Sequence, residues 1–205
     1  MQRVFLFLRH NVSKMKFPLI LASTSPRRKN LLQNFGVPFD VIPSGVDESI
    51  VDITLEPLVY AQQLSYLKAK DVFDKLNFQS TVIGADTIVV FEGKILNKPE
   101  NLTDAQNMLE LLSGKTHTVI TGVSILFPNV VKTFYEETFV TFYPLLNENI
   151  DKYVQTRKTL DKAGGYGIQD DYGSTFVQKI DGCYTNVVGL PLGRVHQELT
   201  TLGLL

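Results

Sequence analysis

Apolar positions along the 205-residue chain alternate between short continuous runs and helically spaced stripes. Leu19 to Ala22 is a four-residue apolar run between a proline and a serine cluster, the pattern of a buried strand. Ser23, Thr24 or Ser25 can cap a following helix. Pro26 suits its first position, where the missing N–H costs nothing. Leu31, Leu32 and Phe35 give that helix an apolar face, and Gly36 ends it. Phe39 to Ile42 reads as a strand, and a turn at Pro43 to Gly45 leads to Asp47 and Glu48. From Pro57 to about Leu76, Leu58, Ala61, Leu64 and Leu67 recur at helical spacing. Thr81 to Phe91 is rich in β-formers and reads as interrupted at Gly84, Ala85 and Asp86. Gly93 then turns into a short strand ending at Asn97, Lys98 and Pro99.

The second half begins with a helix to about Ser113, capped by Thr103 or Asn101 and closed by Gly114. Thr116 to Phe127 and Val131 to Tyr143 flank Pro128 and Asn129 as a long antiparallel hairpin. A helix follows to about Arg157. The stretch DKAGGYGIQ, Asp161 to Gln169, reads as a glycine-rich loop or a broken helix. Ser174 to Ile180 is an expected strand, and Pro191 starts a terminal helix to about Leu202. Mixed helices and strands, with antiparallel pairs in the second half, predict an α/β or α+β sheet protein.

Charge changes this picture at one end. Residues 1–39 carry seven lysines and arginines and no acid, leaving 13 basic residues against 21 acids in the remainder. A basic head on an acidic body does not make the broad cationic face a nucleic-acid binder needs. No stable nucleic-acid partner is therefore expected. Residues 1–17 read as a poorly ordered basic extension, with Met15 as an alternative start, and 18–205 as one domain. The apolar run Val4 to Leu8 is too short for a secretory signal, and no run approaches a membrane span. A single cysteine, Cys183, excludes an internal disulfide framework and fits a reducing compartment.

Two local conflicts suggest chemistry. Arg27 and Arg28 fall in the first turn of a helix, where the macrodipole favours acids. Free N–H groups, three hydroxyls and two guanidiniums converge there with no acid nearby in sequence. A polyphosphate would resolve the conflict; two solvated arginines are the plain alternative. Asp86 lies in the otherwise apolar VIGADTIVV. A carboxylate there is paired, binds a metal, reacts, or caps its own turn through Thr87. Gly84 implies a close backbone approach by a ligand or another strand. Asp47, Glu48, Lys68, Lys98 and Lys162 are individually ordinary, and Gln169 carries an amide able to read a base edge. No Walker A loop, GxSxG elbow or HExxH is present. His10, His117 and His196 share no metal-ligand spacing.

In order along the chain, LASTSPRR at 21–28, GVDES at 45–49, LKAK at 67–70, GADTIV at 84–89, NKP at 97–99, LSGKTHTVITGV at 112–123, DKAGGYGIQ at 161–169 and VVGLPL at 187–192 resemble the Maf family of nucleoside triphosphate pyrophosphatases. Arg27, Thr87 and Gln169 match its dTTP/UTP branch. The branch acting on 7-methyl-GTP tends to show SPWRR and GSDQ. Gly165 departs from the usual alanine, and Asp170, Asp171 and Tyr172 replace a more glycine-rich link.

The resemblance implies an α/β fold: a curved mixed sheet with flanking helices and two lobes around a cleft, related to inosine triphosphate pyrophosphatases. It implies hydrolysis of dTTP and UTP to the monophosphate and pyrophosphate, removing non-standard or excess nucleotides in the cytoplasm. It also implies a homodimer and a divalent Mg or Mn cofactor. Ser23, Arg27, Arg28, Lys68 and Lys98 would hold phosphates, and Glu48 and Asp86 would hold the metal. Asp86 would be the general base, Thr87 would shape the pocket, and Gln169 would meet the base. Whether Asp86 acts first as base or as metal ligand is left open. The other readings are a non-catalytic nucleotide-binding regulator of cell division and a pyrophosphatase for modified purines.

Overall fold

A computed structural model describes residues 17–170 and 172–205. The expectations for the basic extension, His10 and Asp171 lie outside the described residues. The apolar runs become a seven-stranded mixed sheet in the order β2-β1-β3-β5-β6-β7, with β4 pairing β3. β1 (Leu19–Ala22) lies parallel to both β2 (Phe39–Val41) and β3 (Thr81–Phe91). β4 (Lys94–Leu96), β5 (Thr116–Phe127), β6 (Val130–Phe142) and β7 (Val177–Asp181) add antiparallel pairs.

Helices cover both faces. On one side α2 (Pro57–Lys75) packs Ala61, Leu64, Ala69, Val72 and Phe73 against Val82, Ile88, Ile120 and Leu126. On the other lie α1 (Pro26–Gln33), α3 (Leu102–Leu112), α4 (Asn147–Gln155) and α7 (Leu192–Thr201). They enclose Ile83, Ala85, Val89, Val123 and Ile125. The period-2 alternation of β3 thus feeds two cores. No described helix is long and apolar enough to cross a membrane.

Four details depart from the sequence reading. β3 is continuous through Gly84, Ala85 and Asp86, because β5 pairs with it without a break from Val82 to Val90. Asp86 is therefore a mid-strand residue and not a turn cap. The close approach at Gly84 comes from a helix: a Cβ there would stand 2.3 Å from the Ser65 carbonyl oxygen. Gly122, opposite Asp86 in the ladder, meets the Ala61 carbonyl oxygen in the same way. Side-chain-free positions thus let α2 sit directly on the sheet, and one buried Ser65–Ser124 hydroxyl contact of 2.9 Å links them. Finally, Gly173 to Phe176 forms a helical turn, α5, before β7, so the expected strand begins three residues late. A short helix, α6 (Tyr184–Val188), follows β7 where none was expected.

Candidate active site

The cleft begins where the sheet has a gap. β1 pairs with β3 only as far as Ala22 opposite Gly84, and β4 begins opposite Val89. Between them, Ala85 to Ile88 have no strand on that edge, and the turn from Ser23 into α1 faces the opening. Ser25 caps α1, its hydroxyl accepting from the Arg28 N–H at 3.5 Å, while the Ser23 hydroxyl accepts from the Ser25 N–H at 3.1 Å. The cleft encloses about 1070 Å³.

Successive residues of β3 point to opposite faces, so Asp86 and Thr87 meet different partners. On the α2 face, Lys68 donates to Asp86 Oδ1 at 2.6 Å and to Glu48 Oε1 at 2.7 Å. Lys98 stands 3.9 Å from the same Glu48 oxygen. Burial raises the Glu48 carboxyl, but the Lys68 hydrogen bond and the charges of Lys68, Lys98 and Arg28 outweigh it. Glu48 is held below the usual carboxylate range. On the opposite face, Arg28 Nε donates to the Gly189 carbonyl at 2.8 Å and a terminal nitrogen donates to Thr87 Oγ1 at 2.9 Å. Thr87 is itself tied to Thr121 at 2.9 Å. These acceptors are neutral. Desolvation lowers the Arg28 pKa, the Asp86 charge opposing it; a bound anion would relieve that cost.

Arg27 corrects the sequence reading, since an acid is present after all. It donates to Asp161 Oδ2 at 2.7 Å and to the Asp161 carbonyl at 3.1 Å. This bridge ties α1 to the glycine strap, residues 161–170, which forms the far wall. The strap turns through Gly164 and Gly165, both in the left-handed region that favours glycine. Tyr166 is anchored from behind by His117, whose Nε2 lies 2.7 Å from the phenol oxygen. Burial lowers His117 to about 4, so the ring is neutral. Burial pushes the Tyr166 phenol up.

All nine residues expected from sequence line this one cleft: Ser23, Arg27, Arg28, Glu48, Lys68, Asp86, Thr87, Lys98 and Gln169. Sequence reasoning gave no role to Asp161 or Lys162, and passed over Tyr60 and Asn97, which also line it. Lys162 is buried, with its ammonium 2.6 Å from Asp161 Oδ1 and 3.2 Å from Asp170 Oδ2. A lysine between a carboxylate and a glycine run was its only signal. Among the described residues, no three His, Cys, Asp or Glu converge as a metal cage. Glu48 and Asp86 do supply two hard oxygen donors at an open cleft. That fits a small divalent cation whose remaining ligands are water and substrate oxygens.

A profile of the Maf-like protein family matches residues 18–202. A dTTP/UTP pyrophosphatase of Bacillus pumilus is 50% identical over 186 residues, 91% of this chain and 97% of that protein. One from Bacillus anthracis is 51% identical over 181 residues, 88% and 93% of the two chains. Among solved structures, a HAM1 protein from Coxiella burnetii overlaps 90% of this chain and 99% of that chain, at 12% identity and a TM-score of 0.48.

Proposed function

The chain belongs to the Maf family, and on that premise we propose that it hydrolyses nucleoside triphosphates between the α and β phosphates. The products are the monophosphate and pyrophosphate, and dTTP and UTP are the preferred substrates, as the names of its Bacillus relatives suggest. The observation that carries the reading is the gap at the β3 edge. It sets the Glu48 and Asp86 carboxylates beside Lys68, Lys98 and Arg28 in one cleft.

Ser23, Arg28, Lys68 and Lys98 bind the polyphosphate and offset charge as it develops. Arg28 presents a guanidinium whose hydrogen-bond acceptors are all neutral oxygens, which a phosphate oxygen can replace. Arg27 reaches phosphate by exchanging Asp161 for a phosphate oxygen. Glu48 and Asp86 hold Mg²⁺ or Mn²⁺, which when bound polarises phosphate oxygens and acidifies water. Asp86 takes a proton from the attacking water at a carboxylate oxygen. Lys68 holds that carboxylate in place. Thr87 orients Arg28, and Gln169 meets the base from the strap. A purely nucleotide-binding regulator has no need of the Asp86–Lys68–Glu48 cluster.

The test is turnover of the full chain with Mg²⁺ or Mn²⁺ against UTP, dTTP, CTP, ATP, GTP and 7-methyl-GTP, with both products quantified. One pyrophosphate per monophosphate, fastest with UTP or dTTP, is expected. Orthophosphate release, or a purine as best substrate, refutes it.

A further inference from the structure

Asp170 replaces the more glycine-rich link expected after Gln169, and the structure gives it a fixed place. Its Oδ2 accepts from the Tyr153 hydroxyl at 2.8 Å and lies 3.2 Å from the buried Lys162 ammonium. Its Oδ1 accepts from Gln169 Nε2 at 3.3 Å. The Tyr153 hydroxyl in turn accepts from the Gly167 N–H at 2.9 Å. Burial, with the Asp170 charge, pushes the Tyr153 phenol up, so it stays a donor. The groups meet over Gly167. A Cβ there would stand 2.6 Å from Lys162 Cε, 2.8 Å from Gln169 Nε2 and 2.9 Å from Asp170 Oδ2.

We propose that Asp170 is a positioning residue that fixes which side of the Gln169 amide faces the base. Asp170 Oδ1 takes the Gln169 amide N–H, so it holds the amide nitrogen and turns the amide oxygen away. Gln169 then meets the base as an acceptor. An acceptor pairs with a base whose ring nitrogen carries hydrogen, as in uracil and thymine. Cytosine and adenine present a ring lone pair at that place, leaving two acceptors opposed. Mismatched acceptors in a site built around a donor discriminate strongly. The inference rests on the strap facing the base, as proposed above, and assigns to Asp170 the orientation of the Gln169 amide through which this chain sharpens its choice of base.

The test compares kcat/KM for UTP and CTP in the full chain and in Asp170→Asn. Asparagine donates as well as accepts, so the Gln169 amide is free to turn. The UTP-to-CTP ratio is expected to fall at least tenfold, chiefly through KM. Tyr153→Phe, which loosens Asp170, should lower the ratio by less. The inhibition constant of tripolyphosphate, which has no base, should hold within twofold and so report an intact phosphate end. If Asp170→Asn does not fold, Tyr153→Phe decides alone. A UTP-preferring parent whose ratio stays within twofold in the folded variants overturns the role of Asp170 and leaves the proposed function standing. A parent that does not prefer UTP overturns both.

Discussion

At one end of the cleft, cations arrive from well-separated parts of the chain, and each has its own kind of neighbour. Lys68 on α2 is clasped by two carboxylates, whereas Arg28 on α1 is surrounded by neutral oxygens. At the other end a single stretch, Asp161 to Asp170, folds back on itself. Its polar groups satisfy one another through Tyr153 and Lys162. The first end stores unspent charge for an anion, and the second stores orientation for a base. Damage to the first should therefore slow every substrate alike, and damage to the second should alter only their ranking.

The largest effect tests that separation directly. Asp86→Asn is expected to lower kcat about 10³-fold, within the usual range for a positioned proton acceptor. It should do so equally for UTP and CTP, with Lys68 still held by Glu48. Arg28→Ala removes a charged donor worth about 1.5–3 kcal/mol, roughly 10- to 150-fold in kcat/KM. Its effect should again be uniform across bases. A base-dependent loss in either variant, read from steady-state kinetics, would break the comparison.

The strap end predicts a pH effect on stability. His117 stays neutral in the folded chain down to about pH 4, whereas the unfolded chain takes up its proton near 6.5. Stability is thus complete above pH 6.5 and falls as the pH drops toward 4, by about 3 kcal/mol from this group. Denaturant melts across that range should show the loss, and His117→Gln should flatten it. Smallest is the frame that serves both ends. Gly84→Ala drives a methyl against the Ser65 carbonyl and should cost about 1–3 kcal/mol. Because α2 carries Lys68, activity should fall with the melting temperature while the base ranking stays unchanged.

The two ends also differed in how readily the sequence revealed them. Asp86 in an apolar segment and two arginines in a first helical turn violate local rules and mark the phosphate end, whereas Glu48, Lys68 and Lys98 are ordinary one by one and follow only from the resemblance. What stayed hidden was tertiary. Asp161 neutralises Arg27 from 134 residues away, and no local pattern carries that pairing. The continuity of β3 was hidden for the same reason, since its ladder to β5 overrides the break that Gly84 suggests. At the strap, Lys162 and Asp170 look like surface charges beside flexible glycines. Only the fold buries Lys162 and brings Tyr153 from α4 against them. Ser174 to Phe176, in the helical turn, read as strand from sequence because the residues that follow, Val177 to Ile180, are strand.

The central claim, triphosphate at the Arg28–Lys68 end and base at the strap, is tested most directly by a crystal structure of Asp86→Asn soaked with UTP and Mg²⁺. The account predicts the triphosphate against Ser23, Arg28, Lys68 and Lys98, with the uracil ring N–H in hydrogen-bond reach of the Gln169 amide oxygen. A nucleotide bound the other way round, with its phosphates on Lys162 and its base among the arginines, would contradict it.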